Sequence, residues 1–92
     1  MFGLSKEIYE KIKNIIEKYD CNFILFGSRA RGDYKTNSDI DIAIENVKED
    51  DVYKIQNEFD LLDTPYTFDL VFIKESTKNE LLISIKREGV KL

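Results

Sequence analysis

Two small residues, Gly27 and Ser28, stand ten residues ahead of a carboxylate pair, Asp39 and Asp41, separated by a single isoleucine. A third carboxylate, Asp69, lies within the apolar run Tyr66-Thr67-Phe68-Asp69-Leu70-Val71-Phe72-Ile73. On an extended strand, alternate side chains leave the same face about 6.5–7 Å apart. Asp39 and Asp41 can therefore converge on one ion or on two neighbouring ones. If the strand carrying Asp69 lies alongside, all three carboxylates share one patch. Hard oxygen ligands of this kind select magnesium, with manganese as the alternative, over zinc. Two such ions about 3.5–4 Å apart clamp the attacking and leaving oxygens of an in-line phosphoryl transfer. Asp39, Asp41 and Asp69 are thus the candidate metal ligands and catalytic groups. Without a cation, clustered carboxylates resist ionising together, so metal binding is expected to stabilise the fold as well as enable the chemistry.

The turn ahead of the pair supplies features suited to phosphate. Gly27 allows close approach of the backbone and unusual dihedral angles. Ser28 offers a hydroxyl and, where a helical turn starts, lies among amides that attract anions. Arg29 and Arg31 bring guanidinium groups to the same turn, suited to bidentate phosphate contacts. Gly27, Ser28, Arg29 and Arg31 are the candidate nucleotide-binding residues. The Gly-Lys-Ser/Thr signature of a Walker-type loop is absent.

What the chain lacks narrows the chemistry further. It has no histidine and a single cysteine, Cys21. A Ser-His-Asp or Cys-His system cannot be built, nor can a zinc site of the usual His or Cys type. Any general base must be a carboxylate, a lysine or a tyrosine. One cysteine forms no internal disulfide and suits a reducing compartment, where Cys21 reads as a small packing residue. The net charge of −4 argues against direct nucleic-acid binding, which rests on basic stripes. Charges at Lys6, Glu7, Glu10, Lys11 and Lys13 interrupt any signal-like run, and no segment reaches the ~20 apolar residues of a membrane span. A cytoplasmic location, with no membrane partner, is expected.

Ninety-two residues suit one domain, 1–92, and its elements can be placed from periodicity. Ile8, Ile12, Ile15, Ile16 and Tyr19 recur at helical spacing over residues 5 to 19, with Ser5 as N-cap. Residues 22 to 26, Asn-Phe-Ile-Leu-Phe, form an apolar strand without alternation, as for a strand covered on both faces. A polar connection follows, opening on a helical turn. Residues 39 to 45 then alternate strictly, with isoleucines on one side and Asp39, Asp41, Ala43 and Glu45 on the other. Val52, Ile55, Phe59 and Leu62 mark a second helix that closes before Pro65. The Tyr66–Ile73 strand comes next, then a helix over about 77 to 88 with Gly89 placed to end it in the left-handed conformation. The order α-β-(turn)-β-α-β-α predicts an α+β (α/β) domain. A short turn makes the first two strands antiparallel, and the intervening helix permits parallel pairing of the second and third. The expected product is a small mixed sheet with helices on one side.

Phe26-Gly27-Ser28-Arg29-Ala30-Arg31-Gly32-Asp33, followed by Ser38-Asp39-Ile40-Asp41-Ile42-Ala43, resembles the minimal nucleotidyltransferases of the DNA polymerase beta superfamily. The resemblance covers nearly the whole chain. It implies that Asp39 and Asp41 bind two Mg2+ ions, that Asp69 completes the site and helps activate the acceptor hydroxyl, and that Ser28 contacts the triphosphate. Many stand-alone proteins of this kind are antitoxins paired with a HEPN-domain ribonuclease toxin. They neutralise it by transferring AMP from ATP to a toxin tyrosine. The resemblance therefore implies an adenylyltransferase with ATP as substrate and a HEPN-domain toxin as partner. Neutralisation by complex formation alone, or nucleotide transfer to a small molecule, stays open at this stage.

Overall fold

Ser5 starts the first helix as its position predicts: its hydroxyl accepts a hydrogen bond from the Ile8 amide at 3.2 Å, which satisfies one of the orphan donors of the first turn. In the computed structural model, which describes all 92 residues, this helix is α1, Lys6–Ile16. It stops a turn short of Tyr19 because the chain tightens there, with Lys18 and Tyr19 amides donating three residues back to Ile15 and Ile16. Tyr19 instead donates its hydroxyl to Glu58. The remaining elements are β1 (Asn22–Phe26), a single-turn α2 (Ser28–Arg31), β2 (Ile40–Glu45), α3 (Glu49–Asp60), β3 (Phe68–Phe72), α4 (Asn79–Glu88) and β4 (Val90–Lys91). No helix is long and apolar enough to cross a membrane.

The four strands form one mixed sheet in the order β3-β2-β1-β4. β1 and β2 are antiparallel, with Phe26 opposite Asp41 and Asn22 opposite Glu45. β2 and β3 are parallel, with Asp41 opposite Asp69 and Ile44 opposite Phe72. The alternation of β2 places Ile40, Ile42 and Ile44, all fully buried, against Phe23 and Leu25 of β1, Ile8, Ile12 and Ile15 of α1, and Ile55 and Phe59 of α3. Phe59 also packs against Phe68, the rings tilted 59° to each other with centroids 5.1 Å apart. This is the main core, between α1, α3 and one face of the sheet.

The mixed sheet and the element order match the sequence-based expectation; the one-sided arrangement of helices does not. α4 lies on the opposite face, where Ile85 and Leu81 pack with Phe26, Ala43, Ile24, Val71 and Ile73. A strand with apolar residues on both faces needs cover on both, and β1 and the far half of β3 are of that kind. α4 covers only that half. The end of the sheet carrying Asp39, Asp41 and Asp69 stays open on this face.

Gly89 also differs from its expected role. Its dihedral angles, φ −65° and ψ 139°, are extended, not left-handed. Glycine is needed there for space, because a Cβ would run into the Ile85 carbonyl and the Ile24 side chain. That close passage lets the chain reverse into β4, which pairs antiparallel with β1 through Leu25–Val90 and Ile24–Lys91. β4 is two residues long, too short for any periodicity to announce it.

Candidate active site

β1 delivers the chain to Gly27 at the open end of the sheet. Gly27 has φ 77° and ψ −157°, a region reserved almost entirely for glycine. A Cβ at this position would collide with Oδ2 of Asp41, so the backbone lies directly against that carboxylate. Ser28 then opens α2. The turn closes on hydrogen bonds from the Arg31 amide to the Gly27 carbonyl at 3.0 Å and from the Gly32 amide to the Ser28 carbonyl at 2.9 Å. Gly32, with φ 93°, ends it in the left-handed conformation.

The parallel register sets Asp41 and Asp69 side by side on adjacent strands, within hydrogen-bonding reach of each other. Asp69 is exposed and Asp41 half-buried. Asp39 lies just before the first paired residue of β2, two positions from Asp41 and so on the same face. The electrostatics follow from this crowding. The Asp41 carboxyl is pushed up from its ordinary 3.8 to about 6, first by burial, then by the charges of Asp69 and Asp39 and the hydrogen bond with Asp69. The nearby Arg31 guanidinium opposes the shift without cancelling it.

The donor set fits a hard divalent cation. It is all oxygen, it carries an excess of negative charge, and its most buried member is destabilised in the ionised form by the other two. As the side chains stand, no three acidic groups close around a single point. Asp41 and Asp69 face each other across the two strands, and the charge of Asp39 acts on Asp41 from two positions earlier in the chain.

The predicted phosphate-side residues divide. Gly27 and Ser28 lie at the start of α2 beside Asp41. Arg31 is on the surface, its Nη1 donating to Glu88 at 2.9 Å and its Nε to Asp33 at 3.2 Å. Its charge acts on Asp41, favouring the ionised carboxylate. Arg29 departs from the expected phosphate contact. It is 2% exposed, and its guanidinium is turned inward to backbone carbonyls of Phe2, Thr36 and Ser38. Two residues apart on a helical turn, and so about 200° around its axis, Arg29 and Arg31 point to different sides, which their shared charge conceals in the sequence.

Glu88, Tyr34 and Tyr66 are neighbours of the site that motif reasoning missed. Glu88 reaches Arg31 from the end of α4, 57 residues away, and the two tyrosines flank Arg29. None of the four concavities of the surface is lined by the three aspartates. The nearest, about 250 Å³, is bounded by Thr36, Asn37, Ser38, Pro65, Tyr66 and Thr67. The carboxylates therefore sit on an open rim of the sheet.

Comparison with known proteins bears on what such a rim does. Residues 10–92 match the family described as polymerase beta, nucleotidyltransferase. No curated protein matches the chain. Among solved structures, a toxin–antitoxin solved with AMP-PNP is 26% identical, with a TM-score of 0.65 over 89% of this chain and 69% of that one. A toxin–antitoxin MntA-HpeT mutant is 25% identical, with a TM-score of 0.59 over 96% of this chain and 72% of that one.

Proposed function

The chain belongs to the polymerase beta nucleotidyltransferase family, and from that premise we propose that it is a magnesium-dependent protein adenylyltransferase acting as an antitoxin. The acceptor in this reading is a tyrosine of a HEPN-domain toxin, and the donor is ATP. The single observation that carries the reading is the side-by-side placement of Asp41 and Asp69 under the Gly27 backbone. This juxtaposes a carboxylate pair with a turn able to hold phosphate.

Each residue then has a task. Asp39, Asp41 and Asp69 would hold two Mg2+ ions, which when bound stabilise charge on the phosphate oxygens as Lewis acids. The Ser28 hydroxyl and the first amides of α2 orient the triphosphate, and Gly27 lets it approach without a side chain in the way. Arg31 is placed to meet phosphate charge by exchanging one of its two carboxylate partners. Asp69, the most exposed carboxylate of the facing pair, takes the proton of the attacking hydroxyl. The hydroxyl oxygen bonds to the α-phosphorus, the bond to the β-phosphate oxygen breaks, and pyrophosphate leaves with the electron pair.

The open rim supports a macromolecular acceptor. A catalytic half-site with no enclosing cavity needs another surface to exclude water and position the hydroxyl, and a partner protein supplies one. The two toxin–antitoxin neighbours, one of them solved with AMP-PNP, support the same assignment of partner and nucleotide. Labelled ATP incubated with the chain and a candidate HEPN partner tests it. Label is expected on the partner with the wild type and Mg2+, and none with Asp39→Asn or Asp41→Asn. Undiminished transfer by either variant removes the metal-ligand assignment. Full suppression of toxicity by Asp41→Asn would instead favour neutralisation by binding alone.

A further inference from the structure

Arg29 has an environment that neither phosphate binding nor simple packing accounts for. Its Nε and Nη2 both donate to the Ser38 carbonyl, at 3.2 and 3.0 Å, and Nη2 also reaches the Thr36 carbonyl at 3.4 Å. Nη1 donates to the Phe2 carbonyl at 3.0 Å. The rings of Tyr34 and Tyr66 lie 5.1 and 5.0 Å from the guanidinium carbon. None of the protein's ion pairs involves Arg29. A buried cation is costly unless paired; here carbonyl dipoles and aromatic faces are its entire compensation.

Those carbonyls have a specific place in the chain. Ser38 immediately precedes Asp39, and its hydroxyl accepts the Lys35 amide at 2.8 Å. On the other side of Asp39, the Ile40 amide donates to the Thr67 carbonyl of the β3 approach at 2.9 Å. Asp39 is thus held between two anchored peptides, one fixed by Arg29 and the other by the sheet. Residues 31–37 are exposed, so the long connection has little core of its own to define where it returns to the sheet. On the opposite flank, the N-terminal turn seals the guanidinium in. A Cβ on Gly3 (φ 73°) would fall 2.9 Å from Arg29 Nη1 and overlap the Tyr34 ring.

We propose that Arg29 is the positioning residue of the carboxylate site: its guanidinium fork clamps Ser38 against the N-terminal turn, so that Asp39 enters β2 facing Asp41. The proposal rests on the reading of Asp39, Asp41 and Asp69 as a metal site. It gives Arg29 no contact with metal, nucleotide or acceptor. A lysine cannot replace it, because a point charge does not reproduce two parallel donors on one carbonyl.

The test uses the full chain with Arg29→Lys and with Tyr34→Leu, the latter removing one aromatic face from a residue at the surface. Hydrogen exchange is measured over residues 34–41 and over α3, and Mn2+ binding is measured by electron paramagnetic resonance. Arg29→Lys is expected to speed exchange over 34–41 several-fold with α3 unchanged, and to weaken Mn2+ binding about ten-fold, the range seen when outer-shell partners of metal ligands are removed. Tyr34→Leu shifts both in the same direction by less. Wild-type exchange and Mn2+ affinity in a folded Arg29→Lys overturn the proposal. Should that variant not fold, unchanged values in Tyr34→Leu do so. A wild type that binds no Mn2+ removes the metal-site reading instead, while exchange over 34–41 still decides the clamp.

Discussion

Asp41 holds the conflict on which the site depends. With its carboxyl pushed up from 3.8 to about 6, the folded state favours the protonated form. The stabilisation from this group is therefore complete below about pH 4 and is lost as pH rises through 6. At neutral pH the ionised Asp41 works against the fold until a cation offsets it. Thermal melts with chelator should show Asp41→Asn more stable than the wild type at pH 7, with the difference shrinking towards pH 4. Added Mg2+ should raise the melting temperature of the wild type and leave that of the variant nearly unmoved. Gly27→Ala is expected to fold poorly or lose nucleotide transfer altogether, because it demands both a forbidden φ and space held by Asp41; a transfer assay at saturating Mg2+ checks this. At this scale the sequence disclosed which residue types were unusual but not where each pointed. Asp41 and Asp69 were legible as candidates because carboxylates in apolar strands need a reason. Arg29 was misplaced because two arginines in one turn look alike until the helix separates them.

The helices and strands follow rules that act locally, which is why most of them were readable. Ser5 caps α1 by its hydroxyl, and Ser5→Ala should cost about 1 kcal/mol in urea unfolding. Phe59 packs under the β-sheet against Phe68 and the buried isoleucines, so Phe59→Ala should cost about 3–5 kcal/mol, a loss of much of a small domain's stability. What local rules could not deliver was the side of the sheet each helix takes. The apolar faces of α3 and α4 look equivalent in sequence, with Ile55 and Phe59 in one and Leu81 and Ile85 in the other. Only the demand of β1, apolar on both faces, sends α4 across. The consequence reaches the site, since α4 arrives with Glu88 beside Arg31 and covers the sheet just short of the aspartates. Gly89 shows the same limit: a glycine after a helix usually marks a left-handed cap, and here tertiary crowding by Ile24 and Ile85 is the reason for it.

Taken as a whole, the molecule places its charge and its chemistry on an unfinished surface. Its largest concavity, about 730 Å³ and lined by Val47, Val52, Tyr53 and Phe72 among others, lies away from the carboxylates. The reactive rim carries no enclosing wall. In the proposed function the acceptor protein completes this rim, and membership of the polymerase beta nucleotidyltransferase family over residues 10–92 sets the class of chemistry. The most direct measurement is the intact mass of a candidate HEPN partner, encoded by a neighbouring gene, after co-expression with the wild-type chain or with Asp41→Asn. Adenylate is expected on a partner tyrosine with the wild type, and an unmodified partner with Asp41→Asn. An unmodified partner in both cases, or equal adenylate in both, would contradict catalysis at Asp41 as the means of neutralisation.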